Sequence, residues 1–248
     1  MKRSAINIIL VLIACLSTLG VRASSSVKDL NPFLHPGLEF ETIKEEQING
    51  RLSISTTVRS LGLEPGTKAD WAELPMGAGS SRGRQCPVKI DNDGYVSKLD
   101  GTKLVLTSKN MTRGEPLSCF LMAGREENPI VGEFIPFPIV SESPDGARVE
   151  VVFRSLDKCI FSVQGTRFTP GERLVTSSKI TNTNGTAKTS KEKFKCPKSG
   201  CFSYTVGFAN LDTINGGNGL TRVARKGKSL TLPFKWGVGS KGAVSQSS

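Results

Sequence analysis

Two stretches of the chain share one layout, and that layout limits the fold more than any other feature. Val58-Arg-Ser-Leu-Gly-Leu63-Glu-Pro65-Gly66 is matched further on by Val163-Gln-Gly-Thr-Arg-Phe168-Thr-Pro170-Gly171. In each, a valine is followed five positions later by a bulky apolar residue, then one more residue, then Pro-Gly. Proline fixes φ at the first corner of a turn and glycine supplies the positive φ of the second, so the motif reads as strand, turn, strand. A motif repeated in this way implies two copies of one domain, and a chain of 248 residues has the length for two, each with its own core.

The pattern between the landmarks is that of strands. Leu38, Phe40 and Thr42 alternate with glutamates, and Leu52, Ile54, Thr56 and Val58 alternate with Ser and Thr. Val149, Val151 and Phe153 repeat this two-residue period in the second half, as do Phe202, Tyr204, Val206 and Phe208. No segment carries the period of a long amphipathic helix. Short strands separated by Gly/Pro turns predict an all-β fold of two tandem antiparallel β-sandwiches. The expected division is 1–23 as a signal peptide, 24–37 as a tether, 38–140 as repeat one, 141–146 as a linker, 147–238 as repeat two and 239–248 as a disordered tail.

The amino terminus carries Lys2 and Arg3 before an apolar run from Ala5 to Leu19, the layout of a secretory signal with cleavage expected before Ser24. Leu12-Ile-Ala-Cys15 also resembles a bacterial lipobox, which would make Cys15 a lipidation site and give a membrane-anchored chain. Either reading exports the protein to the periplasm, the cell surface or the medium. Export makes disulfides the default expectation for Cys86, Cys119, Cys159, Cys196 and Cys201. Cys86 with Cys119 would staple repeat one, and two of the other three would staple repeat two, leaving one thiol free or available to another chain. A zinc site is disfavoured because Cys196 and Cys201 have no matching close pair and the chain holds one histidine. Neither metal nor cofactor is expected.

Asp91-Asn-Asp93-Gly94 has the oxygen density of a calcium loop, but the Asp-Gly pair in a strand context reads as a hairpin turn. The resemblance that the turns support is to the immunoglobulin-like repeats of bacterial extracytoplasmic proteins. It rests on Gly165-x-x-Phe168-x-Pro-Gly-Glu172, followed by Gly200-Cys-Phe202, and covers most of repeat two. Repeat one shares the turns only, with Asp91 to Tyr95 at the second. The resemblance implies a sandwich that acts as a spacer, an adhesion module or a ligand-binding domain, and fold alone does not choose among these.

Charge is divided unevenly. Residues 24–146 hold 13 Lys/Arg against 17 Asp/Glu, whereas residues 147–248 hold 17 against 5. Within the basic half, Lys191, Lys193 and Lys195 alternate along one strand face and Arg222, Arg225 and Lys226 cluster near the last strand, with Lys188, Lys198 and Lys228 beside them. These six predict a surface for a polyanion, an acidic polysaccharide or an anionic membrane surface. Nucleic acid is disfavoured, because no aromatic residues alternate with the lysines as a stacking platform. Catalysis has little to stand on: His35 is the one histidine and lies in the tether. The expectation is a non-enzymatic binding or adhesion module. The alternatives are a structural spacer or self-associating assembly subunit, and a hydrolase with carboxylates near the Met76 to Arg84 loop. Asn110 and Asn184 fit the N-glycosylation pattern.

Overall fold

The computed structural model of this protein describes residues 37–48, 51–75, 84–109, 111–124, 129–155, 159–208 and 216–237. The expected signal and tether with Cys15 and His35, the loop 76–83, Asn110 and the carboxy-terminal tail lie outside the described residues. Every regular element among the described residues is a β-strand, and all pairings are antiparallel.

Strands β1 (Leu38–Ile48), β2 (Arg51–Ser60) and β6 (Val105–Lys109) form one sheet of the first sandwich. Its other sheet has the order β5-β4-β3-β7-β8, from β3 (Lys68–Pro75), β4 (Arg84–Ile90), β5 (Val96–Lys98), β7 (Leu117–Met122) and β8 (Ile130–Phe134). The second sandwich pairs β14-β11-β10-β9 against β13-β12-β15-β16. Its strands are β9 (Ile139–Glu142), β10 (Arg148–Ser155), β11 (Ile160–Thr166), β12 (Arg173–Asn182), β13 (Ala187–Lys195), β14 (Phe202–Gly207), β15 (Gly217–Arg225) and β16 (Lys228–Trp236).

Setting aside the extra strands β5 and β9, the two sandwiches have one topology. The first, second and fifth strands of each make one sheet, and the fourth, third, sixth and seventh, in that order, make the other. This is an immunoglobulin-like arrangement with the fourth strand on the second sheet. The repeated Pro-Gly turn joins the second strand to the third in both copies, between β2 and β3 and between β11 and β12. Cys-Pro and Pro-Phe also occur in both halves, in the same order, but not at equivalent places. Cys86-Pro87 lies within β4 whereas Cys196-Pro197 follows β13, and Pro136-Phe137 follows β8 whereas Pro233-Phe234 lies within β16.

Each sandwich closes on its own core, as alternation of apolar residues requires. Leu38, Val58, Trp71, Val88, Leu106 and Leu121 pack the first. Phe153, Phe161, Phe202, Phe234 and Trp236 lead the second, where Phe161 and Phe234 meet edge to face with centroids 5.2 Å apart. Gly165 is required here: a side chain at this position would overlap the Phe202 ring that lies across it.

Two sequence expectations need correction. Ile139–Glu142, divided at 140 between repeat one and the linker, is a strand registered on β10, with Ile139 opposite Val151 and buried in the second core. Only the turn Ser143 to Gly146 remains of the expected linker, because Ile139 has an apolar pocket to fill and Pro144-Asp145-Gly146 can reverse the chain at once. The sandwiches meet through the loop before β7. Gly114, at φ +78°, donates to the Phe137 carbonyl and accepts from the Phe153 amide, and Arg154 of β10 holds Glu133 of β8.

The expected disulfides are absent: Cys86, Cys119, Cys159, Cys196 and Cys201 form no bridge with one another. Cys86 and Cys119 flank β3, opposite Trp71 and Glu73 respectively. Two strand spacings separate them by about 9.5 Å or more, beyond the reach of about 7 Å between Cα atoms. Cys159 and Cys201 lie at opposite ends of the paired β11 and β14, since Ile160 faces Gly207 and Gly165 faces Phe202. Cys196 shares the Cys201 end, its backbone bonded to Gly171 and Glu172, and the Cys201 thiol is directed at the Ser199 carbonyl.

Candidate polyanion-binding face

The sheet β13-β12-β15-β16 presents its outer face from every second residue, and the burial of each strand alternates accordingly. Registered pairs lay this face out in rows. Lys193, Val175, Ala224 and Ser229 form one row across the four strands. Lys191, Ser177, Arg222 and Thr231 form the next, followed by Thr189, Lys179, Leu220 and Pro233. Arg173 faces Lys195 at one end, and Asn218 faces Lys235 at the other. Seven cations, Arg173, Lys179, Lys191, Lys193, Lys195, Arg222 and Lys235, therefore share one surface on which these rows place no carboxylate. Among the described residues none of the seven makes an ion pair.

The expected lysines of β13 hold their place. Lys191, Lys193 and Lys195 are exposed, and Glu192 and Phe194 turn inward, Phe194 stacking edge to face on Phe202. Lys188 shares the inward side, so it does not extend this row. Arg222 is exposed in the same row as Lys191, two strands away. Lys226 occupies the first corner of the β15–β16 turn at φ +28°, followed by Gly227 at φ +76°. It borders a small open depression with Thr169, Pro170, Gly171, Glu172 and Arg173, at the Lys195 end of the face.

Arg225 is the exception, and the register explains it. Three residues after Arg222 on a strand of period two, it points to the opposite side and is 8% exposed. Its guanidinium pairs with Glu172 at 3.5 Å and with Asp145, donates to Ser143 at 3.2 Å, and lies 5.2 Å from the centre of the Phe168 ring. It fastens the β9–β10 turn to the sheet and has no charge free for a ligand. The Ser143 hydroxyl and the Arg225 guanidinium hold the Asp145 carboxyl down at about 2. Lys228 completes this cluster at 3.7 Å from Asp145, and Lys198 sits in the turn after β13.

Arg173, Lys179 and Lys235 were not among the expected residues. Their signal was available: once 174–180 reads as a strand with Leu174, Thr176 and Ile180 inward, Arg173 and Lys179 face out. The remaining candidates have structural duties. One Asp91 oxygen accepts the amides of Asp93 and Tyr95 and the other accepts the Ser97 hydroxyl, which makes the segment a turn. Asn184 is exposed in the β12–β13 turn, its side chain accepting from the Thr186 amide. Burial pushes the Cys159 thiol up to about 12 and raises that of Cys119 further, so neither is poised to join chains. Burial also raises the Glu150 carboxyl, against the opposing effect of Arg148. Among the described residues no three His, Cys, Asp or Glu side chains gather as metal ligands, and no helix is long and apolar enough to cross a membrane.

No protein-family model matches the chain, and no curated protein matches it. Among solved structures it is similar to a tetra-tandem repeat in the extending region of a large adhesion protein, 14% identical over 81% of this chain and 48% of that one, with a TM-score of 0.25. The chain thus spans about half of that repeat structure. It is also similar to the alpha chain of the chicken interferon gamma receptor, 8% identical over 80% of this chain and 97% of that one, with a TM-score of 0.26. Scores at this level bear on neither partner nor activity.

Proposed function

We propose that this is an exported, non-enzymatic binding module that engages a polyanion through the outer face of β13-β12-β15-β16. The observation that carries the reading is seven cations on one sheet face without a carboxylate among them. A face kept cationic only for solubility is ordinarily interspersed with acidic residues, which reduce self-repulsion. Here the acidic neighbours are turned away from the ligand side: Glu172 is buried and paired with Arg225, and Glu192 lies on the inward side of β13. Gathered charge of one sign raises the local concentration of an opposite polyelectrolyte and speeds its capture.

The test is binding of the full chain to immobilised acidic polysaccharide across a salt series, beside a Lys191→Ala/Lys193→Ala/Arg222→Ala variant. At about 0.5–1 kcal/mol for each exposed contact, the triple variant loses roughly tenfold or more in affinity. Wild-type binding weakens steeply with added salt. Equal binding by the two proteins, or no wild-type binding at low salt, refutes the assignment. The clasp of Gly114 favours a second role as a stiff spacer, since its carbonyl accepts the Phe153 amide of β10 at 2.8 Å while its amide holds the connecting segment at the Phe137 carbonyl, 2.7 Å away.

A further inference from the structure

The cationic face is not evenly studded. Val175 and Ser177 on β12 and Ala224 on β15 are short and half-buried, while the long residues around them are exposed. Lys191 and Lys193 stand along one side, on the edge strand, and Arg222 stands on the other, two strand spacings or about 9.5 Å away. Arg173 and Lys226 flank one end of this floor, and Lys179, long and exposed on β12 itself, bounds the other. Short side chains bounded by Lys191 and Lys193 on one side, Arg222 on the other, and Arg173 and Lys179 at the two ends make a shallow trough along β12.

We infer that the trough holds a single linear acidic polysaccharide lengthwise, an inference that rests on the polyanion reading above. Carboxylate or sulfate groups along the polymer meet Lys191 and Lys193 on one side, Arg222 on the other, and Arg173 and Lys179 at the ends. The C–H faces of the sugar rings lie on Val175 and Ala224. From Arg173 to Lys179 the floor measures about 20 Å by the strand rise, long enough for roughly four sugar units. The width between walls admits one extended chain and excludes a broad surface. A flat anionic bilayer would meet only the tips of the walls and leave the floor unused.

Filling the floor without changing any charge tests this. Ser177→Tyr places a ring between Lys191 and Arg222 at an outward strand position where an aromatic residue suits the sheet. Ala224→Leu does the same from β15 and serves if the first variant unfolds at a lower temperature than wild type. The probes are a size series of oligogalacturonic acid and of sulfated oligosaccharides, with phosphatidylglycerol vesicles as the comparison.

For wild type, affinity is expected to rise with oligomer length and level off once the trough is full. Either floor variant is expected to lose about tenfold or more for the saccharides, equivalent to ~1.4 kcal/mol, while binding to vesicles stays the same. Saccharide binding unchanged in both variants overturns the trough and leaves a charged face that binds polyanions without fit. Vesicles bound more tightly than any saccharide overturn it in favour of a membrane surface. Failure of wild type to bind every probe at low salt removes the polyanion reading itself, a result distinct from the other two.

Discussion

Arg222 and Arg225 are three residues apart on one strand, and their substitution is expected to give opposite phenotypes. Arg225→Met removes one member of a pair whose side chains are 7% and 4% exposed, leaving Glu172 charged and shut away from water. Breaking a buried pair from one side costs about 3–5 kcal/mol. The lost guanidinium contact with Phe168 adds about 0.5 kcal/mol or more. Asp145 contributes little to the cost, because at 47% exposure it recovers its hydration. Against a domain stability of about 5–15 kcal/mol, this is a large fraction.

Each kcal/mol moves the midpoint of a domain this size by about 4–8 °C, so the melting temperature of the second sandwich should fall by at least about 12 °C. Urea or thermal unfolding followed by tryptophan fluorescence reads this, since Trp236 is buried in the same core. Adding Glu172→Leu to Arg225→Met should recover most of the loss, because the orphaned charge is then gone. Arg222→Ala should stay within about 0.5 kcal/mol of wild type in stability and lose polyanion affinity instead. An Arg225→Met protein as stable as Arg222→Ala would refute the buried-pair account and return Arg225 to the ligand surface.

The Asp145 carboxyl, held at about 2 in the fold, stands near 3.9 when unfolded. A depressed carboxyl stabilises above its unfolded value and loses that contribution as pH falls toward the folded one, so acid unfolding of wild type should steepen between about pH 4 and 2. Asp145→Asn should lack that component; superimposable acid profiles would refute it. Raised by burial, the Cys119 and Cys159 thiols should resist alkylation at pH 8 in the native protein and react fully in denaturant. Prompt native labelling of either would contradict their placement.

Local structure follows from residue order alone. Residues of period two such as Val149, Val151 and Phe153 can bury one face only as strands, and Pro65-Gly66 and Pro170-Gly171 can only turn the chain, so two antiparallel sandwiches were legible without coordinates. The inward and outward sides of β13 were legible for the same reason, and Lys191, Lys193 and Lys195 stand where alternation put them.

Which distant residues share a surface is set by the pairing of strands far apart in the chain. Sequence proximity grouped Arg225 with Arg222, although strand parity sends one into the core side and the other to solvent. Pairing of β12 with both β13 and β15 brought Arg173 and Lys179 between the two basic clusters and set Val175, Ser177 and Ala224 as the floor between them. The cysteines carry the same lesson. Their number suggested bridges, but β3 stands between Cys86 and Cys119, and the length of β11 separates Cys159 from Cys201. Alternation is a property of each strand alone, whereas register and sheet order arise from long-range backbone pairing, which no local pattern encodes.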